Sequence, residues 1–195
     1  LRYASMLLSN LDVDIPGQSL VAHETGEWFA VDLAPFCNRG LVDEVAGDGR
    51  GGWADGGEDD LRNLPTGPQV LAGLPFDIIR PELNAGRSCI MLDGVLLGEA
   101  GETRSGTAGI SAVRQIPVGR SVETLGFLHA AVPTPGIDPV GAEVGAYVVQ
   151  YGDGSQARIP VRIGAELLPW SAESPGDVQD GALAWSGLNG RGELV

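Results

Sequence analysis

The chain has 195 residues, of which 43% are apolar and 19% charged, and it carries a formal net charge of −14. All twelve basic residues are Arg, and no basic stripe offsets the acidity, which argues against nucleic acid or anionic membrane as a partner. No apolar run approaches the roughly 20 residues that cross a bilayer; with 30 Gly and 13 Pro, turns are many and long helices few.

In chain order, "LRYASMLLSNL" (residues 1–11) reads as a short helix or an added strand. It lacks the longer apolar run and cleavage pattern of a signal peptide. A start at Leu1 reads as a mature or excised segment. Residues 1–22 are taken as an N-terminal arm or linker, with Pro16 and Gly17 as a hinge, and 23–195 as one module. Residues 5–15 are expected at the edge of a sheet, in the same copy or a neighbouring one. "EWFAVDL" (27–33) alternates Phe29, Val31 and Leu33 with Trp28, Ala30 and Asp32, the period of a strand. Residues 34–73 read as a long loop. "LPFDII" (74–79), "SCIMLDG" (88–94) and "TLGFLHAAV" (124–132) have strand length, and 133–144 is a second loop. "GAYVVQY" (145–151) and "ARIPVRI" (157–163) flank Asp153-Gly154, which predicts a tight hairpin turn. Ala157, Ile159, Val161 and Ile163 then face the core and Arg158 and Arg162 face water; Pro160 marks an edge strand. Six or more strands with Gly-rich connections predict an all-β fold, an antiparallel sandwich or jelly roll with long Gly/Asp-rich loops.

The stretch "GGWADGGEDDLRNLP" (51–65) concentrates Gly, acids, a Trp and an Arg. Flexible acidic loops supply the oxygen ligands that calcium needs; Asp43, Glu44, Asp48, Asp55, Glu58, Asp59 and Asp60 are read together as such a loop, with Asp48, Asp55 and Asp59 the metal candidates and Ca2+ the candidate cofactor. The spacing is not that of an EF-hand, because Asp48-Gly49-Arg50 lacks the alternating ligands. The alternative is that the carboxylates cap turns and that Arg50 or Arg62 pins the loop. Trp53 is either a platform for a sugar ring or a plug that closes the loop over the core. Trp53, Asp55, Asp60, Arg62, Trp170 and Trp185 are the carbohydrate-binding candidates. Cys37 and Cys89 are a candidate disulfide if the protein is exported; otherwise they are two buried thiols.

The segment from "VDLAPFCNRG" through "GGWADGGEDDLRNLPTGPQVLAGLPFDII", with "FLHAA" and "YVVQYGDGS", resembles the galactose-binding-like jelly-roll modules of bacterial exported multidomain proteins, often carbohydrate-active ones. The likeness spans about residues 25–187. Its distinctive part is Gly51, Gly52, Trp53, Asp55, Gly57, Asp60, Leu61, Arg62, Leu64, Pro65 and Gly67. The resemblance implies a sandwich and an extracellular or cell-surface setting, but no catalytic residue. One departure is that a further Trp-bearing strand is expected after "AWSGLNGRGELV".

Enzyme signatures are lacking. His129 lies in an apolar strand, His23 has no nucleophile placed beside it, and no G-x-S-x-G, H-E-x-x-H or P-loop occurs. A carboxylate pair such as Asp55 and Asp60 can be drawn, but a glycosidase needs a defined separation across a cleft. The expectation is a non-catalytic extracellular module that binds carbohydrate or supports a carbohydrate-active protein. The alternative is a structural subunit of an extracellular assembly, joined by strand addition. A glycoside-active enzyme comes third. The expected partner is a glycan or a neighbouring chain, with a homo-oligomer forming through an edge strand.

Overall fold

The computed structural model describes residues 2–11, 28–48, 50, 52–93, 95–97, 103–105, 110–132, 141–168, 170 and 181–195. Residues 12–22 of the expected arm, His23, Glu27, Gly51 and 133–140 of the second loop lie outside them. Among the described residues all regular structure is strand, apart from two 3-10 turns at Ala34–Phe36 and Pro81–Leu83. No helix there is long and apolar enough to cross a membrane.

The strands are β1 (Arg2–Leu11), β2 (Gly67–Leu71), β3 (Leu74–Ile78), β4 (Met91–Asp93), β5 (Val95–Leu97), β6 (Thr103–Ser105), β7 (Leu125–Val132), β8 (Glu143–Gln150) and β9 (Gln156–Arg162). Every ladder between them is antiparallel: β4-β1-β7, β2-β3, β5-β6 and β8-β9. The protein is therefore all-β with small antiparallel sheets.

β1 meets its expected place in part. Arg2–Ser5 lie between β4 and β7, with Tyr3 opposite both Leu92 and Ala131, whereas from Met6 to Leu11 the strand pairs with β7 alone and so borders the sheet there among the described residues. On its other side β7 meets the segment after β9: Ala131 N–H donates to Leu168 O at 3.0 Å and Trp170 N–H to Ala131 O at 3.0 Å.

The expected loop 34–73 also holds a strand, β2, which pairs with β3 from Gly67↔Ile78 to Leu71↔Leu74. Ala72 (φ 48°) and Gly73 (φ 81°) form the connection. A two-residue hairpin turn of type I′ needs positive φ at both positions. Ala at the first is an unusual occupant, which is why the turn is hard to see in the sequence. The β8–β9 connection is longer than expected. Gln150 pairs with Gln156, and five residues, 151–155, link them. Asp153 Oδ1 accepts from Ser155 N at 2.8 Å and from Ser155 Oγ at 2.6 Å, which shapes the turn around Gly154. On β9 the inward set is as expected, with Val161 and Ile163 buried and Ala157 and Ile159 half-buried.

Residues 28–33 show why period two is not yet a strand. From Trp28 to Leu33 exposure alternates down to a buried Leu33, yet no ladder partner runs beside them among the described residues. Phe29 instead lies under the Arg120 guanidinium, 4.0 Å from the ring centroid.

Among the described residues, three apolar clusters form the core. Leu41, Trp53, Leu61, Leu64, Leu71, Ile78 and Cys89 pack beneath the Gly/Asp-rich loop. Ala131, Val161, Ile163 and Leu167 join β7 to β9. Leu33, Cys37 and Ile90 form the third.

Candidate functional site

The loop from Asp43 to Arg62 is built around one buried carboxylate. Asp60, 1% exposed, accepts from Asp43 N at 2.8 Å, Arg62 N at 3.1 Å, Arg62 Nε at 3.0 Å and Arg62 Nη2 at 3.0 Å. Arg62 Nη2 also donates to Asp43 O at 3.1 Å, so the fork ties both ends of the loop together. The hydrogen bonds that Arg62 donates to Asp60, which outweigh desolvation, keep the Arg62 guanidinium more firmly protonated than usual. The planar fork of Arg suits this multidentate geometry.

Asp43, 3% exposed, continues the frame by accepting from Gly57 N at 2.9 Å and Val45 N at 3.2 Å. Gly52 is required here, because a Cβ on it would meet Asp43 Cβ at 2.6 Å. The close approach brings carboxylate oxygens of Asp43, Asp48 and Asp55 within 4.8 Å of one another. Asp43 and Asp55 are buried and Asp48 is exposed. Asp48 Oδ1 accepts from Arg50 N at 2.7 Å. Three carboxylates brought together within one loop, one of them open to water, supply part of the oxygen-rich donor set of a hard cation such as Ca2+.

The metal candidates therefore divide. Asp48 and Asp55 come together, but Asp59 does not join them: its Oδ1 accepts from Asn189 Nδ2 at 2.8 Å. Asp43, a member of the same acidic set, takes the third place. Its distance of twelve residues from Asp55 is closed by the Gly-rich turn, which no local ligand spacing announces.

The sugar-platform reading of Trp53 is corrected. Its side chain is 0% exposed and its ring meets Trp170 edge-on at 5.3 Å and 89°, so no face is left for a pyranose. Trp53 is the plug. Its indole N–H is buried without a hydrogen-bond partner among the described residues. Trp170 and Trp185 are half-buried against the same cluster. Asp55 and Asp60 are buried, and Arg62 is spent on Asp60 and Asp43. The candidate carbohydrate set thus belongs largely to the loop's own framework.

The C-terminal residues complete this framework, a role the sequence did not suggest. Gly187 and Val195 exchange backbone bonds of 3.0 and 2.8 Å, closing a hairpin that lies on the loop. Gly190 N–H donates to Glu58 O at 2.7 Å, Asn63 Nδ2 to Leu188 O at 2.7 Å and Arg191 Nη2 to Gly56 O at 3.3 Å.

Cys37 and Cys89 are free thiols in different clusters, not a disulfide. Cys37 Sγ donates to Leu33 O, and Cys89 Sγ lies against the carbonyls of Arg39 and Gly40. Burial pushes the Cys37 thiol up to about 11 and raises Cys89 as well, so neither is poised as a thiolate nucleophile.

His129 is a satisfied core residue. Nε2 lies 2.7 Å from Glu166 O, and a carbonyl can only accept, so Nε2 carries the proton and Nδ1 accepts from Tyr147 OH at 2.9 Å. Burial lowers its pKa. Tyr147 is stacked on Phe127 at 3.9 Å. Around this group the Glu166 carboxylate is paired with Arg162.

Comparison with known protein families, curated proteins and solved structures returns no match.

Proposed function

We propose that the chain is a non-catalytic extracellular β-sandwich module of the galactose-binding-like, jelly-roll kind, accessory to a carbohydrate-active protein. The observation that carries this reading is the inward use of the stretch on which the resemblance rests. Trp53 plugs the core, Asp60 and Arg62 lock the loop, and Asp43, Asp48 and Asp55 leave one acidic cradle at its surface. Residues committed to holding a loop are poor candidates for acid–base work, so the reading places glycan recognition on other surfaces of the module. A Ca2+ ion in the cradle would act as a structural staple.

A glycan-array screen paired with a reducing-end release assay tests this. Glycan binding without release supports the module. Release of reducing ends by the purified chain overturns the non-catalytic reading.

The pairing of β1 with both β4 and β7 favours a second reading, a structural subunit joined by strand addition. Both β4 and β7 depend on β1 for their ladders, and a sheet that lacks a strand accepts one from a neighbour. Absence of glycan binding together with concentration-dependent self-association would favour it.

A further inference from the structure

Asn189–Gly190 is the one Asn–Gly step in the chain. In such a step the backbone nitrogen of Gly attacks the Asn side-chain amide carbon, because Gly has no Cβ to obstruct ring closure. The new N–C bond forms a succinimide, the bond to Nδ2 breaks, and ammonia leaves with the proton from the backbone nitrogen. Water then opens the imide at either carbonyl, giving Asp or isoaspartate. The reaction needs a free Gly nitrogen and an Asn side chain able to rotate toward it.

Both requirements are blocked here. Gly190 N–H is engaged with Glu58 O at 2.7 Å. Asn189 is 2% exposed and all its side-chain atoms that hydrogen-bond are used. Oδ1 accepts from Arg191 N at 3.0 Å and Glu193 N at 2.8 Å, and Nδ2 donates to Asp59 Oδ1 at 2.8 Å and Glu193 Oε2 at 3.0 Å. Gly190 is also pressed against Arg62, whose Nε would stand 2.6 Å from a Cβ placed there. Every group that shields the step, Arg191 and Glu193 aside, comes from the acidic loop.

We propose that Asn189–Gly190 is a deamidation site guarded by the Asp43–Arg62 loop, which reacts only when the C-terminal hairpin lifts from the loop and whose product then prevents re-docking. The product explains the one-way character. An Asp at 189 replaces the amide donor with a carboxylate facing Asp59 and Glu193, three like charges where one donor held two acceptors. Isoaspartate also adds a methylene to the backbone inside the hairpin closed by Asn189 N–H to Glu193 O at 2.8 Å.

The test is peptide mapping of the full chain for Asp and isoaspartate at 189 during incubation in mildly alkaline buffer. A synthetic peptide spanning 184–195 serves as the unguarded reference. Native protein should convert more slowly than the peptide by on the order of tenfold or more, since only locally opened molecules react. Asp59→Ala should raise the rate toward that of the peptide, and Asn189→Asp should lower the melting temperature. Should Asp59→Ala fail to fold, wild-type protein in urea below its unfolding midpoint replaces it, and its rate should climb before the global transition. A native rate equal to that of the peptide overturns the guard. A rate flat in urea up to global unfolding overturns local opening, and an Asn189→Asp variant as stable as wild type overturns the switch.

Discussion

Gly190 is the surface on which the Arg62 guanidinium rests, with Arg62 Nε and Cζ at 2.6 and 2.7 Å from the position a Cβ would take. The same guanidinium holds the Asp60 carboxylate at 3.0 Å. A methyl group at 190 therefore cannot be added without moving Arg62 off its carboxylate or lifting the C-terminal hairpin. Gly190→Ala should cost about 1–3 kcal/mol, the usual range for overpacking, in urea or thermal melts. An unchanged midpoint would mean that the hairpin does not press on the loop.

The acidic cradle makes a separable prediction. If Asp43, Asp48 and Asp55 hold Ca2+, chelation should lower the melting temperature and added Ca2+ should restore it. Saturation a hundredfold above Kd is worth about 2.7 kcal/mol by mass action. Asp48→Asn should abolish the Ca2+ response while leaving metal-free stability nearly intact, because Asp48 is exposed. Asp59→Asn should leave the response in place, since Asp59 belongs to the hairpin contact. Identical melts with chelator and with Ca2+ would remove the cation from the account.

Trp53→Ala should destabilise by about 3–5 kcal/mol, the cost of emptying a fully buried aromatic site. Trp53→Phe should be milder, since it keeps an aromatic ring against Trp170 and removes an indole N–H that is buried without a partner among the described residues. Any glycan bound by the wild type should still bind the folded Phe variant. Loss of binding with unchanged stability would return Trp53 to the role of platform.

These sites show what a single sequence carries. The Ile159, Val161 and Ile163 alternation predicts β9 because the same residues supply the burial and the ladder. Phe29, Val31 and Leu33 carry an equally good alternation, but they are satisfied by packing, including the cation over Phe29, and form no ladder among the described residues. Period two reports an extended backbone with one buried face; hydrogen-bond partners are a tertiary matter. Asp60 and Arg62 could be foreseen as a clamp because they are two residues apart. Asp43 and Asn189 could not, since their partners lie 17 and 130 residues away. β2 was hidden by Ala72, which tolerates a positive φ that Asn or Gly would have advertised.

Acid should weaken the fold, first through His129. Burial disfavours the imidazolium and outweighs the help of the Glu166 carbonyl, so the folded-state pKa lies below the ordinary 6.5. As pH falls through that value the unfolded chain takes up the proton first, so the contribution of neutral His129 is complete above 6.5 and is lost progressively below it. Glu166 has the same sign at lower pH. Burial raises its pKa, but the Arg162 hydrogen bonds overcome this, and the net value is below the ordinary 4.5. Its contribution is present above 4.5 and is lost as pH falls through the depressed value. Urea melts between about pH 7 and pH 5 should show falling stability in the wild type and a flatter profile in His129→Gln, which retains an amide donor for Glu166 O. Parallel profiles would mean that His129 titrates normally in the fold.

The position of β1 makes the most demanding prediction. Its backbone pairs with β7 from Arg2↔Val132 to Leu11↔Leu125 and with β4 from Arg2↔Asp93 to Ser5↔Met91. Removing β1 would expose the backbone donors and acceptors of β7 along its length, and over Arg2–Ser5 those of β4 as well, which leaves the two flanking strands without a common partner. Met91 and Ala131 lie on those flanks and are 1% and 0% exposed, so the loss should reach the core. Deleting residues 1–18 should therefore lower the melting temperature sharply or drive self-association. A synthetic peptide of residues 1–18 added in excess should restore the melt, because the vacant ladder defines one register for it. In the intact chain, sizing across a concentration series separates the two origins of the strand. A monomer at all concentrations places β1 in the sheet of its own copy, and a dimer whose melting temperature rises with concentration places it in the neighbour's. A truncated chain as stable and as monomeric as the full one would show that the β4-β1-β7 sheet contributes nothing to the fold.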